Sequence, residues 1–351
     1  MLMGTGQSVA FDTLTVFYVY NLAILLGVAV VGGTLFIRRI QHGRWALFSK
    51  DSPRARNILL VGLSGLWILD GLLQMQPLLV TQFVPQLLKP LIPGQPTLVA
   101  HMLLAASHLW KLHPMSWDVG ASWAQILLGL AIIFGDEAGW RRAGLWLSVV
   151  WSLVIWVAGE GLGSILSGGS WLLGSPGSVL FYGAAAGILL MRIPWDPERV
   201  ASWWRRGMVT FWLAVALLQA WPAAAWWSSR QLGQFILTQA EMPQPAIVSA
   251  PLYAWAHLAF QHPVFWNSLL VVVFLALAVL WTLVPRSRAT WGITMLTTFL
   301  TWWLGQDFGM FGGMGTDPNS GAIVLLGLVA YRSLTRTPAT DQHREPVRTS
   351  A

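Results

Sequence analysis

The chain has 351 residues, of which 55% are hydrophobic and only 10% are charged. A soluble domain carries about 25% charged residues, so this composition indicates a polytopic membrane protein whose main partner is the lipid bilayer. The formal charge of +7 falls in particular loops and forms no basic stripe with interleaved aromatics, which argues against nucleic acid as a partner. Because cysteine is absent, disulfides and thiolate metal sites are excluded.

Apolar blocks of about the length that crosses a bilayer recur along the chain. The first block follows a start without a basic region and is not followed by a small-residue cleavage site, so we expect a retained helix rather than a signal peptide. The predicted fold is all-α, a polytopic transmembrane bundle. The predicted spans are 12–37, 57–78, 116–135, 144–160, 178–192, 208–226, 265–284, 290–305 and 321–334, about nine in number.

The distribution of Lys and Arg predicts the orientation of these spans. With the N-terminus outside, all but three of the 21 Lys and Arg residues fall in inner loops and the C-terminal tail. Cytoplasmic loops carry such an excess of positive charge. We therefore predict a multi-pass protein of the cell membrane with its N-terminus outside and its C-terminus cytoplasmic. The three exceptions are Lys89, Lys111 and Arg230.

The long outer connections 79–113 and 227–263 are too apolar for free loops. We expect interfacial or re-entrant helices there, because irregular backbone is tolerated at membrane depth only where protein buries it. The tail 335–351 is polar and contains proline, and this composition predicts disorder.

From residue 57 onwards the chain repeats itself, with offsets of 145 to 149 residues between matched positions. Small changes of offset fall in loops, where insertions are tolerated. The matched pairs are Trp67 and Trp212, Gln74 and Gln219, Pro77 and Pro222, Pro96 and Pro245, His108 and His257, His113 and His262, Trp117 and Trp266, Trp156 and Trp302, and Glu160 and Gln306.

This repeat predicts the domain organisation. Residues 1–56 form a leading helix and a basic inner loop, 57–192 form a first four-helix unit, 207–334 form a second, and 335–351 form the inner tail. Because four is even, both units enter the membrane from the same side. The units are therefore expected to be parallel repeats about an axis along the membrane normal.

Two glycine-rich stretches form the outer turns between the third and fourth helices of the units. They read GEGLGSILSGGSWLLGSPGS at 159–178 and GQDFGMFGGMGTDPNSG at 305–321. Glycine permits positive φ and close backbone approach. We expect both turns to fold over the outer mouth as lids, with Glu160 and Asp307 pointing toward the interface between the units. Asp317 is interpreted as a turn or cap residue.

The stretches WILDGLLQMQP, HP followed by Trp, WVAGEGLG and SPGSVLFY resemble an uncharacterised family of polytopic integral membrane proteins of actinobacteria and related Gram-positive bacteria. The resemblance covers residues 57 to about 192 and extends to 334 through the repeat. It implies a membrane fold and supplies no catalytic residues. Each unit is also similar in topology to the DoxX-like membrane proteins, some of which are linked to thiosulfate oxidation with quinone as acceptor. That similarity is a fold-level analogy.

Histidines at equivalent places in both units are candidate ligands on the outer side. They are His108, His113, His257 and His262. Imidazoles that meet at the repeat axis would suit a metal, haem or quinone, and His108 and His257 are the candidate metal ligands. The alternative for His113 and His262 is that each His-Pro pair begins a helix and the ring bonds a carbonyl.

Four polar residues near the outer ends of the spans complete the candidate ligand-binding site. Asp70 lies inside the second span, where an ionisable residue is by default a functional hypothesis. Glu160, Gln306 and Asp307 follow helix C-termini, where the helix dipole disfavours a carboxylate and a cation, a proton or a partner should compensate. The alternatives are an aspartate bonded to a neighbouring Trp or Gln, and solvated helix ends.

Familiar catalytic signatures, such as a phosphate loop or His-Glu-x-x-His, are absent from the sequence, which leaves open whether the protein is an enzyme. The favoured function is a membrane redox-associated component with an outer His/acid site for a quinone or a metal ion. One alternative is a non-catalytic partner subunit that packs against another membrane protein. Another is a transporter with its site between the units, which the scarcity of polar groups at mid-depth disfavours.

Overall fold

The computed structural model describes residues 11–41, 52–136, 139–191, 196–311 and 314–335. The described residues form helices and connecting loops without any strand, which confirms the all-α fold class. The tail beyond residue 335 and its predicted disorder lie outside the described residues. The helices are α1 Phe11–Gln41, α2 Arg54–Gln74, α3 Leu79–Gln82, α4 Thr97–Leu112, α5 Pro114–Phe134, α6 Trp140–Ala158, α7 Ser178–Leu189, α8 Pro197–Ala220, α9 Ser229–Ala240, α10 Ala246–Gln261, α11 Pro263–Leu283, α12 Arg288–Leu304 and α13 Asn319–Thr335.

Five of these helices are long and apolar enough to cross a membrane, namely α1, α2, α5, α6 and α11. A sixth, α7, is apolar but has only 12 residues. This set fits a membrane protein. The two long connections that were predicted to contain helices do contain them. Connection 79–113 contains α3 and α4, and connection 227–263 contains α9 and α10.

Local start signals explain where several helices begin. Pro114, Pro197 and Pro263 each occupy the first helical position, where the missing N–H costs nothing. Asp196 caps α8 by accepting a hydrogen bond from the backbone N–H of Glu198 at 3.0 Å. As a result α8 begins ten residues before the second unit predicted from hydropathy, because that prediction followed only the apolar part of the helix.

Helices α2 and α5 pack closely against each other, and one glycine from each helix lies at the contact. A Cβ at Gly71 of α2 would lie 2.5 Å from the Ser122 carbonyl oxygen, and a Cβ at Gly129 of α5 would lie 2.6 Å from the Ser64 carbonyl oxygen. Small residues allow the backbones of membrane helices to approach in this way. The pair carries Gln74 and, across from it, Asp118 at its outer end.

Large aromatic side chains fill the interior and find hydrogen-bond partners there. Trp67 is fully buried, donates from Nε1 to Ser148 Oγ at 2.8 Å and packs edge-on against Tyr182 with ring centroids 4.9 Å apart. Trp281 in the second half of the chain donates to Thr294 Oγ1 at 3.0 Å. A buried indole N–H without a partner would be costly, so these hydroxyls fix the rings.

The leading helix α1 lies at the edge of the bundle. Phe17 is buried against α5, and Asn21 Oδ1 accepts a hydrogen bond from Trp123 Nε1 at 3.0 Å. At the opposite end of α5, Arg141 donates to the Ile132 and Ile133 carbonyls at 2.9 and 3.0 Å. Arg141 thereby satisfies two of the carbonyl groups that a helix C-terminus leaves free.

The substitutions Gly71→Ala and Gly129→Ala should each lower the stability of the protein in detergent by about 1–3 kcal/mol, because the added methyl group meets backbone atoms that cannot move away alone. Gly65→Ala on the same α2 is the matched control, since its Cβ meets nothing within 4 Å. Thermal unfolding of the three purified variants measures the effect. Equal melting temperatures for all three would contradict the close α2–α5 contact.

Candidate functional site: a carboxyl cluster between two outer loops

Two outer loops turn the chain from α6 to α7 and from α12 to α13, and both begin with a left-handed backbone run. The φ angles are 54°, 58° and 61° at residues 161–163 and 48°, 57° and 70° at residues 307–309. A Cβ at Gly163 would lie 1.9 Å from the Pro176 carbonyl oxygen. Positive φ and close approach in these glycine-rich turns, predicted from the sequence, are therefore confirmed.

Each loop is tied to the tryptophan that precedes it. Trp156 Nε1 donates to the Pro176 carbonyl at 2.7 Å, and Trp302 Nε1 donates to the Pro318 carbonyl at 2.6 Å. In both cases the proline stands just before the next long helix. The two contacts fix the end of each loop against the helix that leads into it.

The loops also pack across the two halves of the chain. Trp171 of the first outer loop (159–177) is fully buried beside Trp212 in the second half, and its Nε1 donates to Thr301 Oγ1 at 2.6 Å. The second outer loop (305–318) contacts the first half, since the Gly315 carbonyl accepts from Gln76 Nε2 at 2.9 Å. Residues from both loops thus meet at one place, at the end of the bundle that the sequence predicts to be the outer one.

Glu160 and its sequence match Gln306 have the same local role. Gln306 Oε1 accepts the backbone N–H of Gly321 at 2.8 Å, at the start of α13. Glu160 Oε1 accepts the Ser178 hydroxyl at 3.0 Å, at the start of α7. The group that compensates the carboxyl group past the α6 C-terminus is therefore the start of the next helix.

The two side chains differ at their second polar atom. Gln306 Nε2 donates to the Trp171 carbonyl at 2.8 Å, whereas the corresponding Glu160 Oε2 is buried and has no hydrogen-bond partner among the described residues. An amide brings its own donor to this position and a carboxylate does not. Glu160 is thus left with a buried, unsatisfied oxygen.

Asp317, from the second outer loop, lies beside Glu160. Its Oδ1 accepts the backbone N–H of Asn319 at 2.6 Å, and the Ser178 hydroxyl is a hydrogen-bond partner of its carboxyl group. The Ser178 hydroxyl therefore lies between two carboxyl groups, one from each loop. A hydroxyl has a single proton to donate, so it can bond to both groups only when one of them is itself protonated.

Asp70 completes the cluster from α2. Only 2% of Asp70 is exposed, and its Oδ1 lies 3.4 Å from the Tyr182 hydroxyl, a long hydrogen bond. The charges of Asp317 and Glu160 both act on Asp70. We call Asp70, Glu160, Ser178, Tyr182 and Asp317 the carboxyl cluster.

Burial dominates the electrostatics of the two loop carboxyls in this cluster. Burial raises the pKa of Glu160 to about 8, and the negative charge of Asp317 adds to the rise, while hydrogen bonds from the start of α7 oppose it. Burial likewise raises the pKa of Asp317, with opposition from its hydrogen bonds to Asn319, Ser178 and Thr316. Both groups consequently favour their protonated form more than a solvated carboxyl does.

Asp307 lies apart from these groups as a second kind of buried acid. It is only 3% exposed, its φ is 48°, and neither carboxylate oxygen has a hydrogen-bond partner among the described residues. Burial raises its pKa to about 7. Its sequence match in the first loop is Gly161, which adopts the same backbone conformation without a side chain.

The candidate histidines lie elsewhere. His108 and His257 are exposed on α4 and α10, and His257 Nε2 lies 3.0 Å from Gln261 Nε2. His113 and His262 are exposed at the residues before Pro114 and Pro263, where α5 and α11 begin. The structure brings none of these rings into the hydrogen-bond network of the carboxyl cluster.

The donor set does not fit a metal centre in the part of the chain that the structure describes, where no group of three or more His, Cys, Asp or Glu side chains is arranged to hold an ion. The carboxyl cluster is instead linked through hydroxyl groups. Carboxyl and hydroxyl groups arranged in this way can share and exchange protons.

Two functional candidates escaped the sequence analysis. Asp317 was interpreted as a turn or cap residue, and it does accept the Asn319 N–H at the start of α13, but it also belongs to the cluster. Asp118 was not singled out, although it is fully buried and accepts a hydrogen bond from Gln74 Nε2 at 2.8 Å. A signal for Asp118 was present in the repeat, because it follows the matched Trp117 and its counterpart is Asn267.

Comparison of the chain with protein-family models, curated proteins and solved structures gives no match.

Asp307→Gly should stabilise the protein by roughly 1–3 kcal/mol at about pH 8, because glycine relieves both the positive φ and the buried charge. The gain should be smaller at about pH 5. The folded state of the wild type binds a proton at Asp307 more tightly than the unfolded state, so its stability falls as pH rises from the ordinary value of 3.8 toward about 7. Thermal unfolding at the two pH values tests this, with Asp307→Asn as the variant that keeps the side-chain size. Lower stability of Asp307→Gly at both pH values would show that the carboxylate has a stabilising partner.

Proposed function

We propose that the chain is an integral membrane protein with nine spans, made of α1 and two parallel units. The first unit would be α2–α7 and the second α8–α13, each with four spanning helices and one long outer helix, α4 or α10. Equivalent contacts support this. The α2–α5 contact carries the Gln74–Asp118 hydrogen bond of 2.8 Å, and the α8–α11 contact carries the Gln219–Asn267 hydrogen bond of 2.6 Å.

The nine-span arrangement places the two ends of the chain on opposite sides of the membrane, because the number of spans is odd. The excess of Lys and Arg in alternate loops then predicts that the C-terminus is the cytoplasmic end. After residue 340, a fused reporter enzyme that functions only in the cytoplasm should be active, and one that functions only outside the membrane should be inactive. The matched control is the same reporter fused before residue 11. Activity of the C-terminal fusion on the outer side alone would refute the nine-span model and its orientation.

We further propose that the protein takes up and releases protons at the carboxyl cluster on its outer side. The observation that carries this function is the meeting of two buried carboxyl groups at Ser178, whose hydroxyl donates to Glu160 Oε1 at 3.0 Å and also acts on Asp317, while Glu160 Oε2 has no partner among the described residues. A proton on one carboxyl group would supply the missing donor. Asp70 and Tyr182, which are linked by a long hydrogen bond, extend this buried group of polar side chains to α2.

We expect the carboxyl cluster to exchange protons with the solvent on the outer side of the membrane alone. The acids of the cluster lie at the outer end of α2 and in the two outer loops, and α5 and α6 place the basic residue Arg141 near their inner ends. A proton carried through the protein would need further ionisable groups along its path. This favours a redox-associated component, which exchanges protons at one surface, over a transporter with a continuous pathway.

A quinone is the cofactor class that fits such a component best, because its reduction and oxidation bind and release protons. Organic extraction and elemental analysis of the purified protein test this class against a metal ion. A bound quinone would support the redox role. A stoichiometric metal ion instead would restore the outer histidines as its ligands.

The substitution Glu160→Gln should remove the infrared absorption of one protonated carboxyl group near neutral pH, because the pKa of Glu160 is about 8. It should leave the protein folded, since Gln306 already fills the corresponding position. It should also reduce the loss of stability that the wild type undergoes as pH rises from the ordinary value of 4.5 toward about 8, where the folded state binds the extra proton.

Two controls separate proton binding from a structural role. Gln306→Glu places a carboxyl group in the second unit and should lower stability as pH rises, because the ionised carboxylate cannot donate to the Trp171 carbonyl. Ser178→Ala removes the shared hydroxyl and should change the carboxyl absorption without abolishing it. An unchanged infrared spectrum in Glu160→Gln, or aggregation of that variant, would overturn the proposed site.

A further inference from the structure

Asp118 is a buried acid outside the carboxyl cluster. It lies in the second turn of α5, is 0% exposed, and accepts a hydrogen bond at Oδ1 from Gln74 Nε2 at 2.8 Å. Its Oδ2 is buried and has no hydrogen-bond partner among the described residues. A full charge at that oxygen would be unsatisfied in a site that water does not reach.

The second half of the chain contains the same site with an amide in place of the acid. Asn267 Oδ1 accepts from Gln219 Nε2 at 2.6 Å, and Asn267 Nδ2 donates to the Gln219 main-chain carbonyl at 3.2 Å. Gln219 lies at the C-terminal end of α8, where main-chain carbonyls lack partners within the helix. The amide donor therefore satisfies a buried carbonyl at a helix end.

The corresponding carbonyl in the first half belongs to Gln74, the last residue of α2. It stands at the same kind of helix end, where a donor would complete its hydrogen bonding and a carboxylate cannot supply one. An aspartic acid can, because the protonated carboxyl group has one O–H and otherwise the same shape as the asparagine amide.

We propose that Asp118 is a second proton-binding site, with the proton on Oδ2 donated to the main-chain carbonyl of Gln74. Burial and the Gln74 hydrogen bond are the interactions that act on its carboxyl group. The nearest other titratable residues on the two helices are Asp70, one turn deeper on α2, and His113, just before α5. Neither is among the groups that act on the Asp118 carboxyl group. The site rests on the match with Asn267 and not on the role of the carboxyl cluster.

A protonated Asp118 also explains how the last residues of α2 and α8, Gln74 and Gln219, can have equivalent hydrogen bonds although one faces an acid and the other an amide. In the second half the Ser170 hydroxyl, from the first outer loop, donates to Gln219 Oε1 and completes a network of neutral groups. A neutral Asp118 gives the first half an equivalent network at Gln74. If Asp118 were ionised, its Oδ2 and the main-chain carbonyl oxygen of Gln74 would both be acceptors without a donor between them. Only a bound cation could then compensate the two oxygens.

The experiment compares Asp118→Asn with Asp118→Ala by thermal unfolding and infrared absorption in detergent. Asp118→Asn should retain the wild-type melting temperature at about pH 6 and should lose one protonated-carboxyl band. Asp118→Ala should melt several degrees lower, because Gln74 loses both of its partners. At about pH 9 the wild type should lose stability that Asp118→Asn keeps, since removal of the proton leaves two facing acceptors.

Parallel measurements on Glu160→Gln distinguish the two sites, because that variant should retain the Asp118 band even if the cluster does not bind protons. Asn267→Asp supplies the reciprocal test and should add a protonated carboxyl group while the protein stays folded. Equal destabilisation by Asp118→Asn and Asp118→Ala at about pH 6 would overturn the proposal. So would a wild-type melting temperature that rises with sodium or potassium concentration while that of Asp118→Asn does not, since this result assigns the site to a cation.

Discussion

Buried polar groups at the helix ends beside the two outer loops have to find their hydrogen-bond partners among other polar groups of the protein. Neither apolar side chains nor lipid tails can supply those partners. The rest of the outer structure follows from this constraint. Gln306 and Asn267 meet it with both polar atoms of their amides. Glu160 and Asp118 occupy the matched positions and leave one oxygen each without a donor. At these two matched positions of the first half, the proposed protons would complete the hydrogen bonding.

The two outer loops connect this chemistry to the packing. Trp171 belongs to the first loop but is buried among residues of the second half, and Asp317 belongs to the second loop but lies beside Ser178 at the start of α7. The loops hold each other in place through these exchanged contacts. A change in the charge of the cluster would act on both loops at once, and through them on the contact between the two halves.

The sequence predicted much of the fold because membrane helices leave strong local signals. Apolar length, proline at helix starts and glycine in the outer turns are properties of short segments, and the helices from α1 to α13 follow them closely. The start of α8 was misplaced because its first turns are charged and amphipathic. Hydropathy ignores such turns, although Asp196 and Pro197 carry a clear capping signal.

The site was only partly predictable, and the reason is physical. Composition and hydropathy by themselves determined that this is an all-helical chain with apolar membrane-length segments. The positions of Asp70, Glu160 and Asp307 within or just after those segments marked them as acids in costly places. Only the tertiary structure decided which of these acids meet. Asp317 reaches Glu160 across 157 residues of sequence because the second loop crosses to the first half. The exposed histidines do not meet the acids because they lie at the surface on α4 and α10 or just after them. Proximity of this kind depends on how helices pack, and no local pattern encodes it.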